Sequence, residues 1–385
     1  MRIPSWLARG GRRGPAGPGT TPDFSSIPSG SNYASLLCAD PPIVLGWTGR
    51  RFRFGSASAL APLFRRRRVT FLLIAKGSVA DDAEARELAA DAKAFMAEHP
   101  QHRFEWLCNI DGETDRLREL GLSAHTHNQN LFLREDVFRP LPRVEPFYDA
   151  IYNARISPEK RNELAARLRS VAFVAYRDPG EHDAAAFHAA CRALAERVPG
   201  GRLLNALTRD GCERLSPRQV NVACAQARVG LCLSPREGAM RVAVEYQLAG
   251  LPIVATPCRG GRDHHLDPET WRVVPADPDA IRDAVAAFES LALPREWVRA
   301  RTLARLARDR ARFVAFVQGL IDAEGGGERC HPLGRLGSER HRHAPPHSRA
   351  VSRVRAIVTA RARAAGATRA HVCRRAGRAP PRRAV

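Results

Sequence analysis

The stretch SPREGAMRVAVEYQLAGLPIVAT, residues 234–256, sets two carboxylates, Glu237 and Glu245, eight positions apart. Earlier, NARISPEK (153–160) sets two cations, Arg155 and Lys160, five positions apart just past an apolar run. Were 238–249 one helix, the two glutamates would stand about 10–12 Å apart and be turned by about 80°. Carboxylates so far apart cannot share one proton transfer. They can hydrogen-bond hydroxyls at two ends of one elongated ligand, such as a sugar joined to a nucleotide. The cations suit an anion. Lys160 in a first helical turn opposes the helix dipole by about 0.3–1 kcal/mol. A charge-assisted contact to phosphate at about 1.5–3 kcal/mol more than offsets that. Gly238 would let backbone approach the ligand closely and open a helix whose free N–H groups receive a diphosphate. Taken singly, each motif also admits a plainer reading: a solvated Arg and Lys, Glu237 at the surface, Glu245 paired with an arginine.

The elements that must position these residues follow from periodicity. From Val69 onward, short apolar runs alternate with helical patterns, which predicts parallel α/β sheets. VTFLLIA (69–75), RFEWLC (103–108) and LSAHTH (122–127) are the expected strands of a first unit, with helices over 81–99 and 113–120. REDVFRPLPRVEPF (134–147), with its three prolines, is the expected linker. The second unit has expected strands at 148–154, 171–176, 202–207, 229–234, 252–256 and 272–274. Its expected helices are 157–168, capped by Ser157, then 182–197, 217–228, 239–249 and 277–291. Residues 295–322 form one long amphipathic helix or a helix pair. In open parallel sheets ligands bind beyond the carboxyl ends of the strands, where both motifs fall.

Residues 148–292 resemble the nucleotide-binding domain of retaining glycosyltransferases of GT-B architecture, the group 1 type. RISPEK matches their R-x(4)-K signature, EGAMRVAVE their E-x(7)-E signature, and GLPIVATPCRGG the strand and glycine segment that follows. NLFLREDVFRPLP (130–142) is similar to the stretch before their interdomain linker. The resemblance implies a GT-B-like α/β fold: two Rossmann-like doubly wound parallel-sheet domains, the N-terminal one abbreviated. It implies transfer of a sugar from a nucleotide-sugar donor to an unidentified acceptor (glycan, lipid or small molecule), with retention. Arg155 and Lys160 would hold the donor diphosphate, and Glu237 the donor-sugar hydroxyls beside the amides of Gly238 and Ala239. Glu245 would bind the ribose. No cofactor and no metal is expected, because the cations take the metal's place. The family's glycine-rich loop and catalytic His have no evident counterpart in the short first unit, which leaves a catalytically impaired nucleotide-sugar-binding protein as the alternative. A GT-B-type epimerase or phosphorylase ranks lower, with no lysine in a matching pyridoxal phosphate motif.

Composition sets the boundaries. The net charge of +21 is carried by the ends, +9 in 1–68 and +13 in 331–385, leaving −1 for 69–330. The expected divisions are a disordered basic extension (1–68), an abbreviated N-terminal unit with linker (69–146), a nucleotide-sugar-binding unit with closing helix (147–325) and a disordered Arg/Ala/Pro-rich tail (326–385). PPIVLGWTGRRFRF (41–54) reads as a hairpin or strand of the wrong character for a first Rossmann strand. A charged tail attracts phosphate backbones. Without an aromatic platform no specific nucleic acid partner is expected. Nine cysteines without a C-x-x-C argue against a disulfide framework or a zinc site. With no long apolar span and no secretory leader, a cytoplasmic location is expected, peripheral membrane association being left open. The D-P-D at 277–279 reads as a helix cap rather than a metal motif. His125 and His127 read as surface or strand-packing residues and His264 and His265 as a solvated loop. Neither His pair has a carboxylate or Cys at a fixed offset for a metal.

Overall fold

The structure is a computed structural model that describes residues 34–48, 54–75, 79, 81–176 and 183–325 of the 385-residue chain. The expectations for 1–33 and 326–385 fall outside the described residues. The first sheet comprises β1 (Ala34–Ala39), β2 (Pro42–Trp47), β3 (Thr70–Ile74), β4 (Arg103–Cys108) and β5 (Ala124–Thr126), in that spatial order. β1 runs antiparallel to β2, and the other pairs are parallel. Around the sheet lie α1 (Ser56–Leu60), α2 (Asp82–Glu98) and α3 (Asp111–Glu119).

Here the boundary at residue 68 is corrected. Residues 34–48 and 54–68 supply two strands and a helix of this sheet, and PIVLGW is its first parallel strand, all six residues buried. The expected hairpin or strand is present as β1 and β2, and what is corrected is its character: β2 runs parallel to β3. A β-carbon on Gly46 would lie 2.2 Å from Ser56 Oγ, so the strand needs a glycine where α1 crosses it. Both faces of the sheet are covered, as a continuous apolar run requires. Val44, Phe71, Leu73, Phe104 and Trp106 pack toward the helices after their own strands. Ile43, Leu45, Leu72, Ile74 and Leu107 pack the other way.

The second sheet uses β6 (Tyr148–Asn153), β7 (Val171–Val174), β8 (Gly201–Leu203), β11 (Ala227–Cys232), β12 (Ile253–Ala255) and β13 (Trp271–Val273). Its spatial order is β13-β12-β11-β6-β7-β8, all parallel. β9 (Leu207–Thr208) and β10 (Gly211–Cys212) form a separate ribbon, so the strand expected over 202–207 is split. The helices are α4 (Ala184–Arg197), α5 (Pro217–Ala225), α6 (Arg241–Leu248), α7 (Pro278–Leu291) and α8 (Arg295–Ala323), the last a single 29-residue helix. Asp277 caps α7, its carboxylate accepting from the amides of Asp279 and Ala280.

Two expected helices differ. Residues 157–168 are two short 3-10 turns, Pro158–Lys160 and Asn162–Ala165, divided by Arg161 at φ 50°. The left-handed residue breaks the i to i−4 ladder, so Lys160 ends a turn and opposes no helix dipole. Likewise α6 starts at Arg241, because Met240 sits at φ 44°. Gly238 and Ala239 therefore lie in the turn before the helix, and the along-helix spacing of Glu237 and Glu245 does not hold.

Candidate functional site

β6 and β11 are neighbours, and connections leave them toward opposite edges of the sheet. That adjacency is a topological switch point, with a crevice outside the carboxyl ends of the two strands. The loops that follow these strands carry Arg155, Lys160, Glu237, Gly238 and Ala239. The Tyr152 hydroxyl at the end of β6 donates to the Lys160 carbonyl at 2.6 Å and holds the turn in place. From the other side, Glu237 meets Lys160 in a carboxylate–ammonium pair whose side chains are only 14% and 13% exposed. Arg155 lies two residues past β6, partly buried, and acts electrostatically on Glu159.

Glu245 stands apart from this pair, in the second turn of α6. Its carboxylate is 4.0 Å from Arg241 and 15% exposed. Burial pushes its pKa above the ordinary carboxylate value, against the pull of Arg241. Thus the structure joins Lys160 to Glu237 and gives Glu245 the arginine partner that its sequence allowed.

The SPREG loop is tied to the glycine segment after β12. Glu237 N–H donates to the Arg259 carbonyl at 3.0 Å, and Arg259 N–H to the Pro235 carbonyl at 2.9 Å. Gly260 sits at φ 107°, which only glycine adopts without strain. A β-carbon on Gly261 would come within 2.3 Å of the Asn109 β-carbon and 3.1 Å of the Gly238 carbonyl oxygen. Glycine is therefore what lets the two sheets meet at the site.

Three asparagines of the first unit, none of them evident from spacing, complete that meeting. Asn109 and Asn128 follow β4 and β5. The Asn128 side-chain amide donates to the Gly261 carbonyl at 3.0 Å, and that of Asn130 to the Ala239 carbonyl at 2.6 Å. Asn130 at least lies in the NLF stretch of the pre-linker segment; Asn109 carries no signal of its own. At the rim, Arg236 pairs with Glu84 of α2.

The histidines divide as well. His125 contacts Glu105 at 2.8 Å and its ring packs on Phe316. His127 packs against Phe313 and Phe316, and burial pushes it down to about 4. Both are packing residues between β5 and α8. His264 and His265 lie in a short 3-10 turn, His265 only 2% exposed, and they converge on Asp309 of α8. The solvated-loop expectation is thereby corrected. The carboxylate that spacing could not supply arrives from 44 residues further along the chain.

No family model matches this chain, and no curated protein matches it either. Solved structures do resemble it. Anabaena Alr3699/HepE in complex with UDP aligns over 72% of this chain and 78% of its own, at 12% identity and a TM-score of 0.52. The chain has the GT-B fold. The same Anabaena protein with UDP and glucose aligns over 71% and 77% of the two chains, at 13% identity and a TM-score of 0.50. Sucrose-phosphate synthase from Thermosynechococcus elongatus aligns over 73% of each chain, at 18% identity and a TM-score of 0.49. Where the two sheets meet, the Lys160–Glu237 pair, the glycine segment and the three asparagines lie side by side. No described helix is long and apolar enough to cross a membrane.

Proposed function

We propose that the chain is a glycosyltransferase that takes a nucleotide-sugar donor and holds the donor diphosphate with cations rather than with a metal. The observation that carries this reading is the Lys160–Glu237 pair at the β6/β11 switch point, where two motifs 77 positions apart converge. Without donor, each residue neutralises the other. A donor diphosphate would take the ammonium of Lys160 together with Arg155 and the amides of Gly238 and Ala239. That exchange frees the Glu237 carboxylate to accept hydrogen bonds from the sugar. Glu245 would accept from the ribose hydroxyls. As the glycosyl C–O bond breaks, charge grows on the distal phosphate, where the two cations stabilise it. The acceptor hydroxyl would attack the anomeric carbon from the face the leaving group vacates and pass its proton to the departing phosphate oxygen, giving retention.

The first test is thermal unfolding of the full chain with UDP, GDP, ADP and dTDP, UDP coming first on the strength of the HepE complex. A nucleotide at a hundred times its dissociation constant should stabilise by about 2.7 kcal/mol. One nucleotide should raise the midpoint, and Arg155→Ala/Lys160→Ala should abolish the rise. No shift with any nucleotide would overturn the reading. A second reading, a nucleotide-sugar-binding protein with impaired catalysis, draws on the first sheet having only five described strands, one of them antiparallel. Release of free nucleotide from the matching nucleotide-sugar separates the two, since only a transferase turns its donor over.

A further inference from the structure

We propose that His264, His265 and Asp309 form a site for one divalent transition-metal ion, Zn²⁺ foremost, that ties α8 to the glycine segment of the cleft. The inference rests on this cluster alone and not on the transfer chemistry above. One nitrogen from each ring and one carboxylate oxygen lie within 4.8 Å of one another. Around a single ion at Zn–N and Zn–O distances of about 2.0–2.2 Å, tetrahedral donors stand about 3.4 Å apart. The widest pair therefore needs to close by at most about 1.4 Å, within the reach of a ring rotation.

The convergence is on one atom. Asp309 Oδ2 lies 3.1 Å from His264 Nε2 and 3.7 Å from His265 Nδ1. The first is a hydrogen bond; the second is too long for one. His265 is 2% exposed, and its Nε2 has no hydrogen-bond partner among the described residues. A buried imidazole held so loosely by polar neighbours is unusual, because interior polar groups are normally paired. The other carboxylate oxygen, Oδ1, accepts from Arg312 at 3.2 Å, which leaves Oδ2 to face the rings. Arg305, the remaining nearby cation, is engaged by Asp267. Two imidazoles and one carboxylate form a borderline donor set that suits Zn²⁺ and its transition-metal neighbours rather than the all-oxygen preference of Mg²⁺ or Ca²⁺.

Position gives the site a consequence. His264 and His265 come three and four residues after Gly261, whose carbonyl receives Asn128. Asp309 is one turn before Phe313, which packs against the first sheet. An ion here would fix α8, the glycine segment and, through them, the closure of the two sheets.

The test is calorimetric titration of Zn²⁺ into the full chain after removal of metal by a chelator, alongside His264→Gln and Asp309→Asn. Loss of even an outer-shell partner costs metal sites about 10- to 100-fold in affinity, so each variant should lose at least that much. The Co²⁺-loaded protein should show visible d–d bands without a thiolate charge-transfer band, which separates this site from the cysteines. Thermal unfolding of the metal-free variants checks that they fold. Should Asp309→Asn fail that check, His264→Gln, at the more exposed ligand, still decides. Absence of Zn²⁺ binding by the parent chain would overturn the proposal. So would undiminished binding by a folded variant, or a thiolate band in the Co²⁺ spectrum.

Discussion

Glu237 and Glu245 share a signature but not an environment, and the difference predicts different losses. Glu237 is paired with Lys160 in the crevice, whereas Glu245 sits in α6 with burial holding its pKa up and Arg241 as its neighbour. Glu245→Ala should weaken nucleotide binding by roughly tenfold, the worth of one hydrogen bond of about 1.5 kcal/mol to a charged group. Glu237→Ala should leave nucleotide binding within a few-fold and lower donor turnover. Calorimetric Kd values beside initial rates check the pair; equal nucleotide affinity in the parent and Glu245→Ala would remove Glu245 from the ribose site. Glu105 gives a prediction in pH. Burial pushes its carboxyl up, but hydrogen bonds from His125, Ser123 and Arg103 outweigh that and hold it below the ordinary value. A carboxyl depressed in the folded state stabilises above its unfolded pKa of about 4.3, and that stabilisation is lost as pH falls further toward the folded pKa. In Glu105→Gln the stability deficit measured at pH 7 should therefore shrink below about pH 4.3, followed by thermal unfolding from pH 7 down to pH 3. A deficit independent of pH would show that the carboxylate charge is not what the cluster uses.

At the scale of elements, the site depends on backbone as much as on side chains. Gly261→Ala would push a methyl group into Asn109 and toward the Gly238 carbonyl. Overpacking of this kind costs about 1–3 kcal/mol, and the closest contact is between β-carbons, which side-chain rotation cannot relieve. Lower thermal stability together with weaker nucleotide binding is expected, read by unfolding with and without nucleotide; unchanged values for both would mean that the two sheets do not meet through this residue. Periodicity carried most of the elements: the strands at β3, β4, β6, β7 and β11 and the single long α8 are where apolar runs and helical spacing put them. It failed where one residue sets the backbone against its neighbours. Arg161 and Met240 adopt left-handed conformations that no propensity rule assigns to them, and each shortens an expected helix beside the site. β2 was legible as a strand or hairpin but not as the first parallel strand of this sheet, since it includes a glycine needed only because α1 crosses there. Lys160 and Glu237, which the structure brings together, were singled out by the sequence. Asn109, Asn128 and Asp309 were not, since their roles come from contacts across the cleft and along α8 rather than from local spacing.

Across the whole molecule, α8 does the work of a strap. Its first half packs against α6 of the second unit, where Leu306 joins that core. Its second half crosses to the first sheet and covers the face opposite α1 and α2 with Phe313, Val317, Leu320 and Ile321. Arg299 donates to the carbonyls of Glu135, Phe138 and Leu248, and Arg310 to those of Leu131 and Leu133, so the linker between the sheets is pinned along the same helix. Phe313 is fully buried and meets His127 and Phe132 edge-on. Phe313→Ala should cost about 3–5 kcal/mol, the range for truncating a buried phenylalanine. The loss should not be shared evenly. The cavity opens in the core that α8 makes with β2, β3 and β4, whereas β6, β11 and β12 belong to a core that Phe313 does not enter. Hydrogen exchange in Phe313→Ala should therefore quicken at the amides of β2–β4 while those of β6 and β11 keep most of their protection. Equal loss across both sheets would mean instead that the strap makes them one cooperative unit, and that disturbing the first sheet reaches the crevice directly.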